Sequence, residues 1–275
     1  MFLKKTAVAV AALAAILGGT GTAVAAPYDW EMDMQAAASP VMAQIEDFHQ
    51  LLLIITTAIC IIVAALLVWV MIRYNQRSNP VPSKTSHNTL LEVAWTGIPV
   101  IILVLIAIPS FRLLYFEADI PKPDVTFEAI GKQWFWTYAF PKDGNFQFDS
   151  YMLTAAQDKK AGEPRLLGVD NPVYVPVNKV VEVDTTGADV IHSWAVPAFG
   201  VKMDAIPGRI NRTWFKATKI GTYYGECSEL CGANHAFMPI EVKVVSEADY
   251  HTWLKAAKKK YAANDEPDAV RVAAK

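Results

Sequence analysis

The sequence predicts a two-helix membrane hairpin followed by an all-β sandwich or barrel that ends in a helix. Three observations carry this reading. Residues 51–72 and 93–111 are apolar runs without a single charged side chain, and the first is long enough to cross a bilayer as a helix. From about residue 120 the pattern changes to short runs that alternate apolar and polar residues, punctuated by Gly, Pro, Asn and Asp, which is the mark of many short strands. Residues 247–262 return to a helical period, with Tyr250, Trp253, Leu254 and Ala257 on one face and lysines opposite.

Ahead of the hairpin, residues 1–26 have the build of a secretory leader. Lys4 and Lys5 form a basic start, residues 7–17 an apolar run too short to span a membrane, and Ala23-Val24-Ala25 a small-residue cleavage site. Cleavage is expected near Ala25 or Ala26. Residues 27–119 then hold the N-terminal segment and two helices, at about 45–74 and 91–116. The connection between them carries Arg73, Arg77 and Lys84 and no acid before Glu92, so it faces the cytoplasm by the positive-inside rule. Both termini then face outward, in agreement with the leader. Trp69, Trp95 and Tyr115 lie near the ends of the runs, where interfacial aromatics sit. Cys60, alone inside the first run, is a small packing residue. The lipid bilayer is one partner; a net charge of −2 gives no reason to expect nucleic acid.

The exported domain covers 120–263, and the polar tail over 264–275 is loose. Strands are expected at 125–130, 133–140, 180–184, 209–215 and 240–245, with turns at 142–145, 170–172 and 207–208. Between the last two strands lies a loop that gathers Cys227, Cys231, His235 and Met238 within twelve residues. Thiolate and thioether are soft donors and imidazole suits copper; a thioether argues against zinc. Three readings compete: a disulfide, a single copper held by His, Cys and Met, and two coppers bridged by both thiolates. A mononuclear electron-transfer centre needs one Cys, so the second favours two metals. A disulfide would leave His235 and Met238 unexplained. His192, in Asp189-Val-Ile-His-Ser-Trp, is a further imidazole that another loop of the same β domain can bring to the site. His49, His87 and His251 lie elsewhere.

His-Ser-Trp-Ala-Val-Pro at 192–197, Asp-Ala-Ile-Pro-Gly-Arg at 204–209 and Tyr-Tyr-Gly-Glu-Cys-Ser-Glu-Leu-Cys-Gly-Ala-Asn-His-Ala-Phe-Met-Pro at 223–239 together closely resemble subunit II of the bacterial and mitochondrial haem-copper cytochrome c oxidases. The resemblance covers nearly the whole mature chain. It implies a cupredoxin-like exported domain holding a dinuclear mixed-valence copper centre, CuA. Carried over residue by residue, Cys227 and Cys231 bridge the two coppers. His192 and Met238 complete one, and His235 with the backbone carbonyl of Glu229 the other. The Glu229 carboxylate resembles the family residue that binds magnesium or manganese at the contact with subunit I.

Further roles follow from the same resemblance. Trp134, in Gly-Lys-Gln-Trp-Phe-Trp-Thr-Tyr at 131–138, corresponds to the surface port for the electron from cytochrome c. Asp170, Asp189 and Asp149 are docking acids for that basic partner. The family places Tyr and Glu in many members where this chain has Phe135 and Ala139, and the second difference removes a docking charge. Glu92 corresponds to the opening of a proton-uptake pathway into subunit I; read alone, it is an acid favoured at a helix N-terminus. The implied protein is the electron-accepting subunit of a proton-pumping oxidase in the bacterial inner membrane, with its copper domain in the periplasm and further subunits beside it. The haem of subunit I reduces oxygen to water. A quinol oxidase subunit lacks the copper ligands, and nitrous oxide reductase lacks the hairpin. A membrane-anchored copper carrier would need neither Trp134 nor Glu92.

Overall fold

The computed structural model describes residues 23–28 and 30–261. Most of the leader and all of the tail over 264–275 therefore lie outside the described residues. The first element is a short strand, β1 (Ala23–Ala25), parallel to residues 221–223.

Helix α1 is Pro40–Arg73 and α2 is Thr89–Ala118. Both begin before the apolar runs because polar caps start them. The Ser39 hydroxyl accepts the Met42 N–H at 3.0 Å with Pro40 in the first turn, and Asn88 accepts the Leu91 N–H at 3.1 Å. Pro99 and Pro109 are carried inside α2. Most side chains of the two runs point outward, Ile54 and Leu103 among them. Helices apolar on every side suit a surrounding of lipid or neighbouring membrane helices.

The β domain packs two sheets. Its strands are β2 (Val125–Lys132), β3 (Phe135–Phe140), β4 (Phe146–Ser150), β5 (Val173–Pro176) and β6 (Val181–Gly187). They continue with β7 (His192–Val196), β8 (Val201–Ala205), β9 (Asn211–Phe215), β10 (Gly221–Cys227) and β11 (Pro239–Val245). One sheet runs β5-β11-β10-β7-β8, with β1 attached to β10, and the other runs β4-β3-β2-β6-β9. Inward side chains alternate along the strands and meet in an aromatic core. Phe127 lies edge-on to Tyr138 and Trp194, at 5.8 and 6.1 Å between ring centroids, and the Trp194 indole donates to the Tyr138 hydroxyl at 3.3 Å. A short helix, α3 (Ala155–Ala161), interrupts the β4–β5 connection. The closing helix α4 (Glu247–Tyr261) buries Tyr250, Leu254 and Ala257 and stacks Trp253 on Tyr174 at 5.0 Å.

The hairpin is tied to this domain where α1 begins and α2 ends. Ala38 donates its N–H to the Ala198 carbonyl and accepts from the Thr218 N–H, both at 2.9 Å. The Trp214 indole donates to the Glu117 carbonyl at 3.1 Å, with its ring against Phe116. The β domain is thereby held close to the start of α1 and the end of α2.

Candidate metal centre

Strand β10 ends at Cys227, which pairs with Trp194 of β7 in the ladder. That register sets His192, the first residue of β7, beside the cysteine. The loop after β10 is pinned by the Ser228 N–H on the Ser193 carbonyl at 3.0 Å, turns back through Cys231 and His235, and re-enters the sheet just after Met238 at β11. His192 therefore stands on a strand rather than a loop. Its ring packs on Gly131, where a Cβ would lie only 2.6 Å from the imidazole. Any side chain at 131 would displace it.

The donor atoms converge. The Cys227 and Cys231 sulfurs are 3.9 Å apart and both thiols are free. Cys227 Sγ lies 3.9 Å from His192 Nδ1 and 3.4 Å from the Glu229 carbonyl. Cys231 Sγ lies 3.5 Å from His235 Nδ1 and 3.6 Å from Met238 Sδ. Atoms bound to one metal at about 2.0–2.3 Å stand roughly this far apart. His192, both cysteines and Met238 are buried, while His235 is half-exposed. Two thiols, two imidazoles, a thioether and a carbonyl fit a soft metal, and the two sets around the shared sulfurs fit two ions better than one.

The electrostatics favour uptake of a cation. Burial disfavours the Cys227 thiolate, but hydrogen bonds from His192 and from the backbone at Glu229 and Ser193 outweigh it and lower its pKa to about 7. Cys231 moves the opposite way, to about 12, through burial and the neighbouring Cys227. Burial and the mutual repulsion of two thiolates oppose charge at the site, and a bound cation would offset both. Burial also opposes the charged form of His192, yet contacts with Cys227 and Asp189 raise its pKa.

Other predicted site residues fall into distinct places. Trp134 occupies the turn between β2 and β3, not the strand expected over 133–140. Lys132 pairs with Phe135, so Gln133 and Trp134 form a two-residue turn, and Asp189 Oδ2 accepts the Gln133 N–H at 2.7 Å. The Trp134 indole N–H donates to the Cys231 carbonyl at 3.3 Å. Trp136, two residues on, is wholly buried and donates to the Met238 carbonyl at 3.3 Å. Trp134, Tyr151, Met152, Asn234 and Phe237 line a surface hollow of about 450 Å³. Asp189 faces inward as much as outward: Oδ1 is 2.8 Å from His192 Nε2 and accepts the Val190 N–H at 2.7 Å. Asp170 is exposed and accepts the Tyr151 N–H, and Asp149 accepts the Thr137 hydroxyl. The Glu229 side chain is exposed. Glu92 lies far away, in the first turn of α2. Gln133, unnoticed in the sequence, donates from its carboxamide to the Cys231 carbonyl at 2.8 Å; only the folded contact identifies it. For Asp189 a signal existed, a carboxylate three residues before a ligand histidine.

A β sandwich on a two-helix anchor, with a buried group of soft donors beneath a half-buried tryptophan, defines a membrane-bound copper protein of the electron-transfer kind. Comparison with known proteins gives the family. Residues 125–245 match the family model described as cytochrome c oxidase subunit II, periplasmic domain, and residues 27–113 match the transmembrane domain of the same subunit. A probable cytochrome c oxidase subunit 2 of Rickettsia bellii is 51% identical over 240 residues, covering 87% of this chain and 88% of the relative. Cytochrome c oxidase subunit 2 of Cereibacter sphaeroides is 45% identical over 241 residues, covering 82% and 79%. The crystal structure of the periplasmic domain of subunit II of cytochrome oxidase from Bradyrhizobium japonicum is 60% identical, with a TM-score of 0.49, over 52% of this chain and 99% of that one. The chain belongs to the cytochrome c oxidase subunit II family. It is a membrane subunit of an oxidoreductase complex, and its β domain is a copper-binding one of the CuA type.

Proposed function

We propose that this subunit takes electrons from cytochrome c at Trp134 and passes them, through a pair of coppers, to the haem of subunit I. The observation that carries the reading is the hydrogen bond from the Trp134 indole to the Cys231 carbonyl. It joins a half-buried ring to the main chain of a ligand residue. When bound, the copper pair supplies a one-electron site whose charge is shared over two metals. Cys227 and Cys231 would hold both ions, with His192 and Met238 on one side and His235 and the Glu229 carbonyl on the other. Strands β7 and β10 carry His192 and Cys227 and anchor the loop that carries the rest, a rigid frame for either oxidation state. Copper suits the donor set because thiolate, thioether and imidazole are all among its preferred ligands.

Around this centre, the exposed Glu229 carboxylate holds magnesium or manganese at the contact with subunit I. Asp170 and Asp149, with the outer edge of Asp189, present negative charge to a basic donor. Glu92 receives protons at the cytoplasmic end of α2. The leader over 1–26 is removed, which takes β1 from the mature chain. The hairpin (27–119) anchors the copper domain (120–263) on the periplasmic side of the bacterial inner membrane. Replacement of Trp134 separates this reading from a membrane-anchored copper carrier. An oxidase subunit loses electron uptake while keeping its copper, whereas a carrier shows no functional defect.

A further inference from the structure

The turn that carries Trp134 touches both halves of the donor group. Gly131 lies under the His192 ring. The Gln133 N–H donates to Asp189, whose other carboxylate oxygen is 2.8 Å from His192 Nε2. The Gln133 carboxamide and the Trp134 indole donate to one acceptor, the Cys231 carbonyl, at 2.8 and 3.3 Å. A carbonyl oxygen has two lone pairs, so it takes both. Gly232 lies against the same two side chains at φ 124°. A Cβ there would stand 2.9 Å from the Trp134 ring and 3.1 Å from the Gln133 amide nitrogen. Gln133 is itself exposed, so packing of the core does not require it. Fixing an exposed glutamine costs side-chain entropy, which this contact has to offset.

We propose that Gln133 is a positioning residue for electron uptake: its carboxamide shares the Cys231 carbonyl with the Trp134 indole and fixes that ring against the ligand loop, while its main chain ties the turn to the Asp189–His192 pair. The orientation of the carbonyl sets the orientation of the residue that bears the Cys231 sulfur. Loss of the amide donor therefore reaches both the indole and the copper ligand. The proposal rests on Trp134 being the port.

The test uses the assembled oxidase with Gln133→Met, Gln133→Glu and, in parallel, Trp134→Phe. The first keeps the length and removes the donor; the second sets a carboxylate against a carbonyl. In both Gln133 variants the copper resonance and absorption spectra shift, and the maximal rate of electron uptake falls by roughly tenfold, the lower end of what loss of an outer ligand contact costs. With Gln133→Met the KM for cytochrome c and its ionic-strength dependence stay unchanged; Gln133→Glu adds a charge beside the docking acids, so it is read by its spectra and maximal rate. A change confined to KM and salt dependence overturns the proposal and makes Gln133 a docking contact. Unchanged spectra and rates overturn it as well. If Trp134→Phe leaves uptake intact, the port reading fails on its own. The hold on Cys231 is then judged by the Gln133 spectra alone: shifted spectra support it and unshifted spectra overturn it.

Discussion

The Trp134 indole N–H donates to the main-chain carbonyl of Cys231 at 3.3 Å. The half-buried ring borders the surface hollow, and the carbonyl belongs to a residue whose thiol is buried among the other donors. This single contact joins solvent-facing surface to metal-binding interior. Trp134 sits in the two-residue β2–β3 turn, where Asp189 accepts the Gln133 N–H at 2.7 Å.

Replacing Trp134 with Phe keeps an aromatic ring and removes the N–H. Electron uptake from reduced cytochrome c is expected to fall roughly tenfold or more, equivalent to about 1.4 kcal/mol or more of barrier, with copper content unchanged. Stopped-flow kinetics beside metal analysis checks this. Uptake at the normal rate would remove Trp134 from the route.

Asp189 should matter more for the metal than for the donor. Its carboxylate holds His192 through Nε2, which leaves Nδ1 directed at the thiols. Outer contacts of this kind are worth roughly tenfold to a hundredfold in metal affinity. Asp189→Ala should therefore lose copper to a competing chelator at that much lower chelator strength. If affinity holds and only the salt dependence of the cytochrome c reaction changes, Asp189 is a docking acid.

The sandwich core sets the stability of the β domain. Phe127 is wholly buried against Tyr138, Phe140 and Trp194. Phe127→Ala should cost about 3–5 kcal/mol, from lost transfer energy and the cavity left behind. Denaturant unfolding of the full chain in detergent reads this directly, and a cost below about 1 kcal/mol would contradict a close-packed core.

Glu92 tests the proton side independently. Glu92→Ala should slow oxygen reduction by the assembled enzyme and leave copper content and spectra as they were. Unchanged turnover would return Glu92 to the role of an acid at a helix N-terminus.

Much of the molecule was legible because its signals are local. Two charge-free runs make the helices, and four donors within twelve residues mark the metal loop. His192 was harder, since its ring reaches Cys227 only through the pairing of β7 with β10. Five strands of the β domain went unassigned. Among them β10 reads Gly-Thr-Tyr-Tyr-Gly-Glu-Cys, with no clean alternation, because its outer face is also covered: Tyr224 is buried against Glu163. The sequence pattern carries β3 back to residue 133, but the pairing of Lys132 with Phe135 makes Gln133 and Trp134 the turn of a hairpin, which an aromatic run does not mark. Asp189 itself read as a surface charge. Composition gives a carboxylate its sign and not the direction it faces.

The donor group is expected to hold two coppers as one electronic unit. The most direct measurement is electron paramagnetic resonance, with metal analysis, of the full chain purified in detergent and loaded with copper. Two coppers per chain are expected, with the hyperfine pattern of one unpaired electron shared by two copper nuclei. One copper per chain, with the spectrum of a single nucleus, would contradict it.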